Sequence, residues 1–154
     1  METRTPSTGN LDDDACWEML AAGIVGRLAL VIDGHPEIFP VNYVLERRNI
    51  IFRTAAGKKL WGAETAEPAA LEIDGYDPRQ EEAWSVVVKG DMKVVSSQEE
   101  KDAADALHLE PWQPGVKEHY IRLTPQVLTG RRFKVNNPDL WNTRPTDARR
   151  SSFE

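Results

Sequence analysis

The chain has a single cysteine, Cys16, in 154 residues. That excludes a disulfide framework and a cysteine metal site, and it suits a reducing compartment. No apolar run approaches the roughly 18 residues of a membrane-spanning helix, and the opening METRTPSTGNLDDDA is polar and acidic where a secretory leader is apolar. A cytoplasmic protein without membrane contact is the expectation. Basic excess is missing too: 19 Lys and Arg against 25 Asp and Glu leave a net charge of -6, which speaks against a nucleic-acid partner, whose footprint is a basic face. The three histidines, His35, His108 and His119, show no zinc-ligand spacing, so no metal site is expected. There is no G-x-S-x-G, H-E-x-x-H or G-x-G-x-x-G, and hydrolase, metalloprotease and Rossmann readings therefore lack their mechanical parts. Carboxylates fall in turns and polar helices, the distribution of a solvated surface and not of a paired acid/base site.

What is present concentrates in residues 26–60. Leu28, Leu30 and Ile32 alternate with Arg27, Ala29 and Val31, and Asp33-Gly34 suits a two-residue primed turn whose central residues take positive φ. The returning strand, 35–45, carries Pro36 and Pro40, which cannot donate ladder hydrogen bonds and so belong at an edge, an end or a bulge. After a turn at 46–49, Ile50-Ile51-Phe52 reads as a buried strand. The composition then changes to Arg53-Thr54-Ala55-Ala56-Gly57-Lys58-Lys59, followed by a short helix expected over 60–67. Free N–H groups at a glycine turn and a helix N-terminus, with Arg53, Thr54, Lys58 and Lys59 around them, suit a phosphate. A solvated basic turn fits the same residues, and the segment alone leaves both open. It is not a Walker A loop, because Phe52 stands where the first glycine belongs and Lys59 where Ser or Thr does.

Elsewhere, Asn10 or Asp12 can cap a helix to about residue 22 with Leu11, Ala15, Met19 and Ala22 as its stripe, and Cys16 and Trp17 as partly buried packing residues. A strand over 69–74 ends at Gly75, and a longer one over 84–95 has a bulge or bend at Gly90. Ser97 and Glu100 form a capping box for a helix to about residue 109, broken by Pro111-Trp112-Gln113-Pro114-Gly115. Segments 119–124 and 127–133 read as a last strand pair around Pro125. The expectation is a mainly β (α+β) domain over 11–135, a closed antiparallel sheet of six or seven strands with two to three peripheral helices. A polar N-terminal arm, 1–10, and a C-terminal extension, 136–154, flank it.

Taken in order, Gly26-Arg27-Leu28, Gly34-His35-Pro36, Pro40-Val41-Asn42-Tyr43, Phe52-Arg53-Thr54 with Gly57-Lys58-Lys59-Leu60, Trp84-Ser85-Val86-Val87-Val88 with Gly90, and Gly130-Arg131-Arg132 resemble the pyridoxamine 5′-phosphate oxidase-like flavin-binding split-barrel family. The branch with nitroimidazole-resistance proteins and actinobacterial flavin or deazaflavin oxidoreductases is the most similar. The resemblance spans about residues 15–133. It implies a split barrel, noncovalent FMN and a homodimer with two sites across its interface. It also implies hydride or electron transfer to a small oxidised acceptor, with the flavin carrying the chemistry. Pro40, Val41, Asn42 and Tyr43 would line the isoalloxazine, and Arg53, Thr54, Gly57, Lys58 and Lys59 would hold the phosphate. Trp84 and Ser85, and less strongly Trp112 and Arg131, would come from the second subunit. The substrate-gripping arginine and histidine elements of true pyridoxamine phosphate oxidases are not recognisable, so that activity is not expected. Deazaflavin, FAD and haem are the alternative cofactors, and no catalytic side chain is identified. A noncatalytic carrier or ligand sensor is the alternative function.

Overall fold

The computed structural model describes residues 9–112 and 114–136. Seven strands and three helices follow in the order β1 (Gly9–Asn10), α1 (Asp13–Ala22), β2 (Val25–Ile32), β3 (His35–Glu46), β4 (Asn49–Thr54), α2 (Lys58–Glu64), β5 (Pro68–Asp77), β6 (Glu82–Val94), α3 (Gln98–Asp105) and β7 (His119–Lys134). The sheet order is β1-β7-β4-β3-β2-β5-β6, and β6 also pairs with β7, so six antiparallel strands close on themselves. This is the expected split barrel, and closure leaves few free edges. Leu28, Ile50, Phe52, Leu71, Val86 and Ile121 fill its interior with no exposed surface. Among the described residues no helix is long and apolar enough to cross a membrane.

Two tight turns set the register of β2, β3 and β4. Asp33 and Gly34 take φ of 51° and 76°, the primed geometry the sequence called for. Arg47 and Arg48 take φ of 48° and 62° and make a second two-residue turn that nothing in their residue types announces. β4 pairs with β3 only from Tyr43 to Glu46, whereas β2 pairs with it from His35 to Asn42. The first half of β3 therefore has one open side. The Tyr43 N–H donates to the Ile24 carbonyl, so by antiparallel alternation odd-numbered residues of β3 bond towards β2 and even-numbered ones face the open side. Pro36 and Pro40 fall on that side, where no ladder bond is lost, as their chemistry requires. Ile38 and Asn42 keep their N–H groups there.

The structure corrects several boundaries. β5 does not end at Gly75 but runs on to Asp77, and Gly75 is there because a Cβ would sit 2.5 Å from the Trp84 ring. β7 is one strand and not a pair: it bends at Pro125 opposite Gly90, where the register with β6 slips. α3 stops at Asp105, four residues short of expectation, although Ser97 caps it by accepting from the Glu100 N–H at 3.2 Å. α1 is capped by Asp12, which accepts from the Ala15 N–H at 2.8 Å. It buries Cys16 and Leu20, and the expected stripe of Leu11, Ala15, Met19 and Ala22 lies to one side of that face. Gly9 and Asn10, the end of the expected arm, pair with Arg132 and Arg131 of β7. Residues 137–154 lie outside the described residues.

Tyr43 ties the barrel to α1. Its ring is buried and its hydroxyl donates to the Leu20 carbonyl at 2.7 Å, with burial pushing its pKa up to about 12. Gly23 leaves room for that hydroxyl, since a Cβ would come within 2.1 Å of it. Tyr43→Phe is expected to cost about 0.5–1.5 kcal/mol, the worth of one hydrogen bond, because the Leu20 carbonyl loses its stronger donor but keeps the Gly23 N–H at 3.2 Å. Urea denaturation with an unchanged m-value checks this.

Candidate functional site

A cleft of about 460 Å³ runs along the open side of β3, lined by Val25, Phe39, Pro40, Val41, Asn42, Lys59 and Trp112. Three of its walls are thus the segment 40–42 that the sequence singled out, and a fourth is one of the two expected lysines. The walls are mostly apolar and aromatic, and few polar groups converge on them, the usual make-up of a small-molecule site.

Asn42 is the most informative of these. Its Oδ1 accepts the backbone N–H of Trp112 at 2.8 Å. That bond also fixes which way the amide is turned, because only the oxygen can accept. The Nδ2 is consequently left as a buried donor with no hydrogen-bond partner among the described residues. A dry, unpaired amide N–H costs about 1–3 kcal/mol, and native structures keep such groups rarely. The nitrogen has almost no accessible surface, so a ligand edge carrying a carbonyl or ring nitrogen would satisfy it once a neighbouring side chain moves aside.

The basic element sits beside the cleft, arranged differently from expectation. α2 begins at Lys58, with Gly57 as its N-cap at φ of 149°, so Lys58 and Lys59 belong to the first helical turn and not to a preceding loop. Their N–H groups, with that of Leu60, precede the first intrahelical bond, Trp61 N–H to the Gly57 carbonyl. Nothing lies within 4 Å of where a Gly57 Cβ would stand, so the helix start is open. Lys59 is half-buried with its Nζ 5.2 Å from the Phe39 ring centroid. Burial, and then the neighbouring charge of Lys117, lower its pKa. Lys58 pairs with Glu37, two residues before Phe39 on β3, at 2.6 Å. Thr54 is buried and its hydroxyl donates to the Ala55 carbonyl at 3.0 Å, which leaves its lone pairs available.

Four of the residues named from sequence lie elsewhere. The Tyr43 side chain points into the barrel, as described above, because odd-numbered residues at this end of β3 face the core. Arg53 is committed: Nε and Nη2 donate to the Lys117 carbonyl at 3.2 and 2.8 Å, and Nη1 to the Leu109 carbonyl at 3.2 Å. Trp84 and Ser85 are on β6, separated from β3 by β2 and β5, about 14 Å around the sheet at the usual strand spacing. Ser85 opens instead on a cavity of about 500 Å³ together with Arg131 and Asn10. Trp112, which the resemblance assigned to a second subunit, lines the cleft from within the same chain. Sequence reasoning missed Val25 and Phe39. The signal for Phe39 was its place beside Pro40, but nothing local marks Val25, which meets Asn42 only through strand pairing. Among the described residues no three His, Cys, Asp or Glu side chains are grouped to hold a metal ion.

The chain is thus a closed six-stranded barrel with a mostly apolar cleft at a strand edge and a basic helix start beside it. A family model described as pyridoxamine 5′-phosphate oxidase matches residues 12–132, and the chain belongs to that family. An uncharacterised protein of Mycobacterium tuberculosis, Rv0080, is 32% identical over 132 residues, covering 82% of this chain and 86% of the relative. Among solved structures, an FAD-binding protein from Mycobacterium smegmatis is 33% identical with a TM-score of 0.66, covering 84% of this chain and 100% of that one. A conserved protein of unknown function from Corynebacterium diphtheriae is 35% identical with a TM-score of 0.68, covering 82% and 97%.

Proposed function

We propose that this protein binds a flavin nucleotide noncovalently along the open side of β3 and works in the cytoplasm as a homodimeric oxidoreductase acting on a small oxidised acceptor. The observation that carries the reading is the orphaned Asn42 Nδ2 in the wall of a mostly apolar cleft. It matches a planar heteroaromatic edge rich in acceptors, and the residues present fit the group. FMN is the cofactor proposed. FAD stands beside it because the M. smegmatis relative is described as FAD-binding, and the two share the phosphate that this site addresses. A bound flavin would supply the hydride or electron transfer.

The chain's own residues bind and orient. Pro40 and Val41 present an apolar wall, and Asn42 Nδ2 donates to the ring edge. Lys59 and the N–H groups of the first turn of α2 face the phosphate, with the Thr54 hydroxyl behind them. Arg53 acts at one remove, through the loop it holds. Trp84 and Ser85, remote from the cleft of their own chain, are proposed to reach the cleft of a second copy.

The test is a thermal-shift panel of FMN, FAD, a deazaflavin and haem, read with size-exclusion light scattering. A native-state ligand at a hundredfold excess over its Kd stabilises by about 2.7 kcal/mol, or about 5–10 °C for a chain of this size. No shift with any flavin, or a monomer in the flavin-loaded state, overturns the corresponding part of the proposal. A second reading, a noncatalytic carrier or sensor, is favoured by one feature: among the described residues, Lys59 is the only titratable side chain lining the cleft. Bound flavin that no nicotinamide or deazaflavin donor reduces would select it over the enzyme.

A further inference from the structure

Between α3 and β7, residues 109–112 and 114–117 carry no regular structure, yet they are held at three points. Arg53 binds the carbonyls of Leu109 and Lys117 with three guanidinium nitrogens, so one side chain fastens both ends of the segment. Its guanidinium lies 5.1 Å from the centroid of the Tyr120 ring, and the Tyr120 hydroxyl donates to Asp105 at the end of α3 at 2.7 Å. Asn42 Oδ1 holds the third point, the backbone N–H of Trp112. The main chain at Trp112 is therefore fixed to the cleft floor, while its side chain stays 71% exposed. Large aromatic rings normally bury most of their surface. Here Trp112 is one of the residues that line the cleft, with Phe39, Pro40 and Val25, and a clamped segment presents it.

We propose that Trp112 is the stacking wall of the site, taking a planar conjugated ring against its indole, and that Arg53 is the positioning residue that sets this wall and not a phosphate ligand. The proposal rests on the cleft being the ligand site. Asn42 links the two halves: the same amide that fixes Trp112 through its oxygen offers its nitrogen to the ring edge. The ring is the flavin itself or a flat acceptor laid beside it, and the chemistry recognised is the same for both.

Full-length wild type, W112A, W112F, R53M and R53K are compared by fluorescence titration with FMN. Equilibrium dialysis with menadione follows, on protein both as purified and FMN-loaded. W112A is expected to weaken binding of at least one ligand by about tenfold, as loss of an aromatic stacking partner does, with W112F retaining most of the affinity. Loss for FMN alone assigns the wall to the flavin, and loss for menadione alone assigns it to the acceptor. R53M is expected to repeat the W112A pattern and to speed hydrogen exchange of the Trp112 amide, with R53K partly restoring both. Unchanged affinities for both ligands in W112A overturn the stacking wall. A fall in melting temperature for R53M without a change in affinity or in Trp112 exchange overturns the clamp. If wild type binds no FMN, the flavin reading fails, and the menadione arm on ligand-free protein still decides the wall.

Discussion

Replacing Lys58 and Lys59 together by alanine is expected to weaken FMN binding by one to three decades while leaving the fold intact. A hydrogen bond to a charged group contributes about 1.5–3 kcal/mol, and each 1.4 kcal/mol is a tenfold change. The two lysines should not contribute equally. Lys58 is 56% exposed and already paired with Glu37, so solvent screening leaves it little to add. Lys59 is half-buried at the cleft, and the smaller dielectric around it strengthens its attraction for a phosphate. K59A alone should therefore show most of the loss. Glu37→Gln releases Lys58 and should tighten binding slightly. Riboflavin lacks the phosphate, and its affinity should change much less than that of FMN. The lowered pKa of Lys59 adds a pH signature: its charge is lost earlier than that of an ordinary lysine as pH rises, so FMN affinity should fall with rising alkalinity and K59A should flatten that fall. Titration of FMN and riboflavin into each variant by fluorescence measures all of this. Equal losses for the two ligands, or none for either, would show that the start of α2 is solvated surface and no phosphate site.

The features that could be read from sequence are those that a few neighbouring residues decide. Asp33-Gly34 dictates a primed turn by its φ preferences, Ser97 with Glu100 dictates a helix start, and the two prolines of β3 bar a full ladder on their side. The segment 40–42 that lines the cleft was named by the family resemblance and not by the prolines, which speak only for an edge, an end or a bulge. What could not be read depends on contacts distant in sequence. Arg53 looked like a phosphate ligand because its charge was visible and the Lys117 and Leu109 carbonyls that occupy it, more than fifty residues on, were not. Trp112 sat in a run that reads locally as a helix breaker, and only its bond to Asn42, seventy residues away, places it in the cleft. The face of α1 was set one position off because Cys16, ordinary in composition, faces the Cβ-free surface of Gly130, where a side chain would come within 2.5 Å of the thiol sulfur. Lys58 and Lys59 were placed before the helix because their charge suggested a loop. Lysine is a good helix former, and Gly57 supplies the start.

Gly90→Ala is expected to be the most destabilising conservative change in the barrel. β6 and β7 share the longest ladder in the sheet, and their register slips where Lys89 faces Val127 but Gly90 faces Pro125, so Gln126 is the extra residue of a bulge. Pro125 can sit there because the bulge asks no ladder N–H of it. The bend brings β7 so close that a Cβ at residue 90 would lie 1.9 Å from the Thr124 carbonyl oxygen and 2.8 Å from its carbon. Those are main-chain atoms, which move only if the strand moves, and the strand is held by β4 on its other side. Overpacking a fixed site costs about 1–3 kcal/mol and more when the backbone must shift, so a loss of about 3 kcal/mol or above follows, or about 6–12 °C in Tm for a chain of this size. Gly75→Ala is the matched comparison. Its Cβ would meet the Trp84 ring at 2.5 Å, but Trp84 is a half-buried side chain that can turn aside, so the loss should be clearly smaller. Melting curves of the two variants, measured side by side, decide the matter: a Gly90→Ala protein as stable as Gly75→Ala would mean that β7 does not approach β6 this closely at the bulge.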